Sequence, residues 1–272
     1  MQPLHTLPPT RAAAVRGVFT DIDDTLTTDG AITSEALQAL QALRDAGLTV
    51  IAITGRPVGW SEPFAQQWPL NALVAENGAV ALIPTRDAAG QPGLDRLYQQ
   101  TAALREIHWQ RMQALLSEIE ARVPGAQRAT DSWGRETDIA IDHSEFCQLP
   151  QAAIDAVVAQ MRAAGMNATV SSIHINGWFG DHNKLQGARW IWQALTGRAL
   201  DAELDQWAYI GDSTNDQLMF EHFPLSVGVA NVSRFVPQLQ HLPRYVTPSE
   251  RGAGFAELAQ ALLRARSAAG TA

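Results

Sequence analysis

The most constraining feature of this chain is how its short apolar runs end. Val15–Phe19 leads straight into Asp21-Ile22-Asp23-Asp24-Thr25. Such a run reads as a buried strand whose C-terminal end delivers two carboxylates, spaced i and i+2, into a crevice. Negative charge crowded there is costly unless a cation binds. A divalent metal with oxygen ligands is the simplest compensator, and one carboxylate could then act as a nucleophile toward a phosphate held beside it.

Similar runs recur. A helix is expected over Ser34–Asp45, with Leu37, Leu40 and Leu43 on one face, Ser34 as N-cap and Gly47 as the stop. Leu48–Ile53 follows as a second strand and ends in Thr54-Gly55-Arg56-Pro57. Strand, helix and strand at this spacing imply a parallel βαβ unit. A helix at Val58–Gln67, a run at Ala72–Ala75, the turn Glu76-Asn77-Gly78 and a run at Ala79–Ile83 continue the pattern. After Pro84 a Gly and Pro loop is expected over residues 84–93, then a long helix at Ala102–Arg122. Strands at Asp138–Asp142 and Ala168–Ile175 flank a helix at Leu149–Ala164. The chain then returns to a helix from Lys184 and a strand at Trp207–Ile210, which ends in Gly211-Asp212-Ser213-Thr214-Asn215-Asp216.

The fold class expected is α/β, a Rossmann-like parallel-sheet core with an inserted α+β cap of roughly 90 residues. The core comprises residues 1–83 and 179–272 and the cap residues 84–178. Only the interval between Thr54 and Lys184 is long enough to hold a lid, with hinges expected near Pro84 and Gly177–Gly180.

Taken singly, each polar cluster has a bland reading as an acidic turn, a strand exit or a surface lysine. Jointly, strand ends in a parallel sheet converge on one crevice. Phosphoryl transfer needs an in-line nucleophile, neutralised equatorial oxygens and a proton for the leaving oxygen. Asp21 would attack phosphorus, and Asp23 would protonate the leaving alcohol and later deprotonate water. Thr54 and Lys184 would hold the phosphate oxygens. Asp21 and Asp212 would hold Mg²⁺, with Asp216 bound directly or through water and Asn215 hydrogen-bonding nearby; the Asp23 carboxylate would be kept free by its opposite orientation or by use of its backbone carbonyl as the metal ligand.

These residues carry a resemblance. The sequence resembles phosphatases of the haloacid dehalogenase superfamily: Asp21-Ile22-Asp23-Asp24-Thr25 is similar to motif I, Thr54 to motif II, Lys184 to motif III and Gly211–Asp216 to motif IV. Glu76-Asn77-Gly78-Ala79, Ser172-Ile173-His174-Ile175 and Gly228-Val229-Ala230-Asn231 are similar to the subgroup with a large cap after motif II. That subgroup includes Cof-type enzymes and the sucrose-phosphate and mannosyl-3-phosphoglycerate phosphatases. The resemblance implies a Rossmann-like core, Mg²⁺ and an aspartyl-phosphate intermediate. Asp24 stands where many members have Gly.

The reading is therefore a Mg²⁺-dependent phosphatase acting on a small phosphorylated metabolite, a sugar phosphate foremost. A phosphomutase of the same superfamily is the alternative, and a noncatalytic phospho-acceptor module a more distant one. Candidate substrate contacts are Thr54, Gly55, Arg56, Lys184, Asn215 and, on the cap, Arg135 within Trp133-Gly134-Arg135-Glu136. Arg56 reads equally as a structural ion pair, and His174, His182 and Trp178 as structural or substrate-facing. The other tryptophans read as packing residues. A net charge of -8 argues against nucleic-acid and anionic-membrane partners. One cysteine, Cys147, excludes an intrachain disulfide and makes a cytoplasmic setting the expectation. No apolar stretch of about 18 residues occurs, and oligomeric state is left open.

Overall fold

The computed structural model describes residues 1–270. In chain order the elements begin with β1 (Gln2–Pro3), α1 (Pro9–Ala13), β2 (Gly17–Thr20), β3 (Thr27–Thr28), β4 (Ala31–Ile32), α2 (Ser34–Asp45), β5 (Thr49–Ile53), α3 (Val58–Gln67), β6 (Ala72–Ala75), β7 (Val80–Arg86) and β8 (Pro92–Tyr98). There follow α4 (Ala102–Arg122), β9 (Gln127–Arg128), β10 (Ile139–Asp142), α5 (Gln151–Ala163), β11 (Asn167–Val170) and β12 (His174–Trp178). The chain closes with α6 (Lys184–Thr196), β13 (Trp207–Gly211), α7 (Gln217–His222), β14 (Leu225–Gly228), β15 (Tyr245–Val246) and α8 (Arg251–Gly270). Among the described residues no helix is long and apolar enough to cross a membrane.

Nine of these strands form one sheet in the order β1-β15-β14-β13-β2-β5-β6-β7-β8. Pairing is parallel from β1 across to β6 and antiparallel from β6 to β8. Strands β2, β5, β13 and β14 are buried almost throughout, as expected of parallel strands covered on both faces. One face packs on α2 and α8 with Leu40, Leu43, Phe255 and Leu262, and the other on α6 and α7 with Ile191, Trp192, Met219 and Phe220. Strands β9 to β12 form a separate four-stranded antiparallel sheet with its own core, built from Met112 and Leu116 of α4 and Val157 and Met161 of α5.

Several local expectations are corrected. Thr33, not Ser34, caps α2, its hydroxyl accepting the Ala36 N–H. The buried face of that helix is Ala36, Ala39, Leu40 and Leu43, the i, i+3, i+4, i+7 stripe, and Leu37 is exposed. The expected loop over residues 84–93 is largely a hairpin, since Pro84, Thr85 and Arg86 pair with Leu94, Gly93 and Pro92. The far half of β7 and all of β8 are half-buried or exposed, which gives a weak apolar signal, and the prolines fall at positions an edge pair tolerates. The chain thus leaves the large sheet after Tyr98 rather than near Pro84. The single strand expected over Ala168–Ile175 is two, folded back at Ser171, whose hydroxyl accepts the His174 N–H.

Candidate active site

Parallel registry places the ends of β2, β5 and β13 side by side, so Asp21, Thr54 and Asp212, each one residue past its strand, open onto one crevice. The Asp21 N–H donates to Ile210 O of β13 at 2.9 Å, which locks the first acid against the strand that carries Asp212. Gly211 is required at that strand end: a Cβ there would sit 2.4 Å from Asp216 Oδ2.

Asp21, Asp212 and Asp216 are all buried, and one carboxylate oxygen from each lies within 4.8 Å of the others. Lys184, buried at the start of α6, donates to Asp21 Oδ1 and to Asp216 Oδ1 at 2.7 Å each. One ammonium against three carboxylates leaves negative charge in excess. Burial pushes the Asp21 carboxyl up to about 7, with Lys184 pulling against it and Asp216 and Asp23 adding to it. Asp212 is likewise raised well above the usual carboxylate range, by burial and then by Asp21. Burial opposes the charge on Lys184, but Asp21 and Asp216 hold it firmly as the cation.

The donor set fits a hard divalent cation. Asp212 Oδ1 is buried and has no hydrogen-bond partner among the described residues, while its Oδ2 accepts from Asn231 Nδ2 at 3.1 Å. Asp216 is more fully engaged: Oδ2 accepts the N–H groups of Asp212 and Ser213, and Oδ1 accepts from Lys184 and the Tyr209 hydroxyl. The Asp23 carboxylate lies outside this trio. Its oxygens both accept from Arg56 Nε at 3.0 Å.

Arg56 itself is buried and reaches three acids at once, Asp23 on the core and Asp131 and Glu145 on the inserted module, the last two at 3.2 and 2.7 Å. Glu145 in turn meets His174 at 2.9 Å. Burial works against its ionisation, but hydrogen bonds from His174 and Arg56 prevail and hold it near 2. Thr54 Oγ1 accepts the Arg56 N–H at 3.0 Å, a bond that does not use its own hydroxyl hydrogen.

Other expected contacts fall elsewhere. Arg135 is buried between Asp131 and Asp138 and donates to the Gly55 carbonyl at 3.1 Å, so both Arg135 and Gly55 join the two modules. Asn215 accepts from the Ser213 hydroxyl at 2.9 Å within its own loop. Trp133 is exposed and lies against Gly59, where Gly134 approaches so closely that a Cβ on Gly59 would sit 2.8 Å from its Cα. It also lines a cavity of about 510 Å³ inside the inserted module, away from the three acids. His182 stacks on Trp178, and burial, then His108, pulls it down to about 4.

Sequence reasoning missed Asp131, Glu145 and the role of Glu76. Buried Glu76, at positive φ, accepts the N–H groups of Val58, Glu136 and Thr137 and the Thr137 hydroxyl, so one core carboxylate caps α3 and holds the inserted chain. Its place beside Asn77-Gly78 marked a turn, and nothing in the local sequence announced partners 60 residues away.

Residues 18–113 match the family model described as haloacid dehalogenase-like hydrolase. A search of the curated proteins finds no significant match. Among solved structures, a protein of Thermoplasma acidophilum is 18% identical over 91% of this chain and 98% of its own, with a TM-score of 0.67. The sucrose-phosphatase of Synechocystis sp., solved with sucrose and phosphate, is 21% identical over 90% of this chain and 97% of its own, with a TM-score of 0.65. A subclass IIB sugar phosphatase is 15% identical over 95% of this chain and all of its own, with a TM-score of 0.58. At these identities the likeness establishes a shared fold.

Proposed function

We propose that this chain is a haloacid dehalogenase-like hydrolase, the family whose model matches residues 18–113, and a Mg²⁺-dependent phosphomonoesterase for small phosphorylated metabolites, sugar phosphates foremost. The observation that carries the reading is the convergence of Asp21, Asp212 and Asp216 on Lys184, with Asp212 Oδ1 left unpartnered. Asp21, Asp212 and Asp216 would hold the metal, together with the backbone carbonyl of Asp23. When bound, it would neutralise carboxylate and phosphate oxygens alike.

In this reading an Asp21 oxygen bonds to phosphorus as the ester P–O bond breaks, and Asp23 supplies the proton that makes the leaving group an alcohol. Water then attacks the aspartyl phosphate, Asp23 takes its proton, and inorganic phosphate departs. Lys184 and the Thr54 hydroxyl hold phosphate oxygens, and Arg56 orients Asp23. Residues 99–180 act as the lid and the remainder as the catalytic body, the two crossings lying together where Gln100 Nε2 donates to Phe179 O at 2.8 Å. The subclass IIB and sucrose-phosphate enzymes of like fold support the choice of sugar phosphates. A screen of phosphorylated metabolites with Mg²⁺, scored by kcat/KM, tests the reading. Isomerised ester in place of free phosphate would instead assign a phosphomutase.

A further inference from the structure

A cavity of about 400 Å³ opens beside Asp23, with one wall from the core and one from the lid. Its charges are arranged tellingly. Arg56 is already shared between Asp23 and Glu145, and Arg251, on the far side, between Asp24 and Asp29 at 3.1 and 2.6 Å. Among the described residues lining the cavity, four carboxylates thus stand against two guanidiniums, each ion-paired with two of them. A substrate bearing a second anionic group would meet negative charge in excess, a juxtaposition that disfavours it in recognition generally.

The lid wall adds an apolar surface. Phe146 lines the cavity and is 71% exposed. The turn that carries it is rigidly held: Asp142 accepts the N–H groups of Ser144, Glu145 and Phe146 at 3.0, 2.9 and 2.9 Å, and Ile173 O accepts those of His143 and Ser144. An aromatic ring held on a braced turn, beside groups able to bond hydroxyls, suits a ring with one apolar face and polar edges.

We infer that the turn Ser144–Phe146 recognises the leaving group, and that this group is an uncharged sugar ring seated on Phe146 with its hydroxyls toward Glu145 and Arg56. The inference rests on the phosphatase reading and narrows it, excluding uronates, phosphoglycerates and bisphosphates as preferred substrates.

The test measures kcat/KM with Mg²⁺ for p-nitrophenyl phosphate, hexose 1- and 6-phosphates, glucuronic acid 1-phosphate and glycerol 1-phosphate. At least one hexose ester should exceed the glucuronate and glycerol esters by about tenfold or more. Phe146→Ala should reduce that preference over glycerol 1-phosphate by about tenfold, mainly through KM, and Phe146→Tyr should restore it. Glucuronate turned over as well as the hexoses, or a preference unchanged in Phe146→Ala, overturns the inference while hydrolysis of p-nitrophenyl phosphate leaves the phosphatase reading standing. Wild-type protein that releases phosphate from none of these esters overturns that reading, and the inference with it.

Discussion

Arg56 Nε lies 3.0 Å from both carboxylate oxygens of Asp23, and the same guanidinium bonds Asp131 and Glu145 across the crevice. A single buried side chain therefore couples the proposed acid to the inserted module. The planar fork directs its donors to three separate carboxylates from one position.

Arg56→Gln should destabilise the fold by about 3–5 kcal/mol, because it strands Asp23, Asp131 and Glu145 around a vacated cation site. Arg56→Lys should recover part of the stability and less of the kcat. Urea unfolding and steady-state kinetics on p-nitrophenyl phosphate measure both, and an Arg56→Gln protein that unfolds like wild type would contradict the arrangement.

Metal and pH should act on stability together. Asp21 ordinarily titrates at 3.8 and is raised to about 7 in the folded, metal-free protein. The folded state then holds a proton that the unfolded chain has lost, so this contribution is complete below about pH 4 and is lost as pH rises to about 7. Mg²⁺ needs the ionised carboxylates. Saturating Mg²⁺ should raise Tm by about 5–10 °C at pH 8 and by clearly less at pH 5. Calorimetry that finds equal shifts at both pH values would remove the acidic cluster as the binding site.

Lys184→Met should abolish phosphate release and weaken the metal-free fold by about 3–5 kcal/mol, since it leaves Asp21 and Asp216 buried without their shared cation. Assay and urea unfolding of the metal-free protein check this. Wild-type stability in the metal-free variant would mean that Lys184 does not hold the acids.

Glu76→Ala should cost about 1–3 kcal/mol for each buried N–H left without an acceptor, at Val58, Glu136 and Thr137. Amide hydrogen exchange at those three positions is the sharper readout, and it should rise in the variant. Unchanged protection would show that Glu76 does not tie the lid to α3.

Much of the fold was legible because buried parallel strands announce themselves as unbroken apolar runs, and α3, α4 and β6 fall where periodicity placed them. The run Ala79–Ile83 marks the start of β7, but the end of that strand and β8 read as loop, because an edge hairpin, partly exposed and interrupted by prolines, lacks that signal. In the crevice, Asp21 and Asp212 could be gathered in advance because strand-end topology brings them together whatever the side chains do, with Asp216 on the turn after β13 and Lys184 joining from the start of α6. The partners of Arg56 and Glu76 could not. They depend on how one module sits against the other, and Asp131, Glu145 and Thr137 look like ordinary polar residues until that contact is formed.

The most direct test is phosphate release from p-nitrophenyl phosphate, with and without Mg²⁺, by wild type and Asp21→Asn. The account predicts Mg²⁺-dependent release by wild type and none above background by Asp21→Asn, in a protein whose far-ultraviolet circular dichroism is unchanged. Retained turnover in Asp21→Asn would contradict its role as the nucleophile.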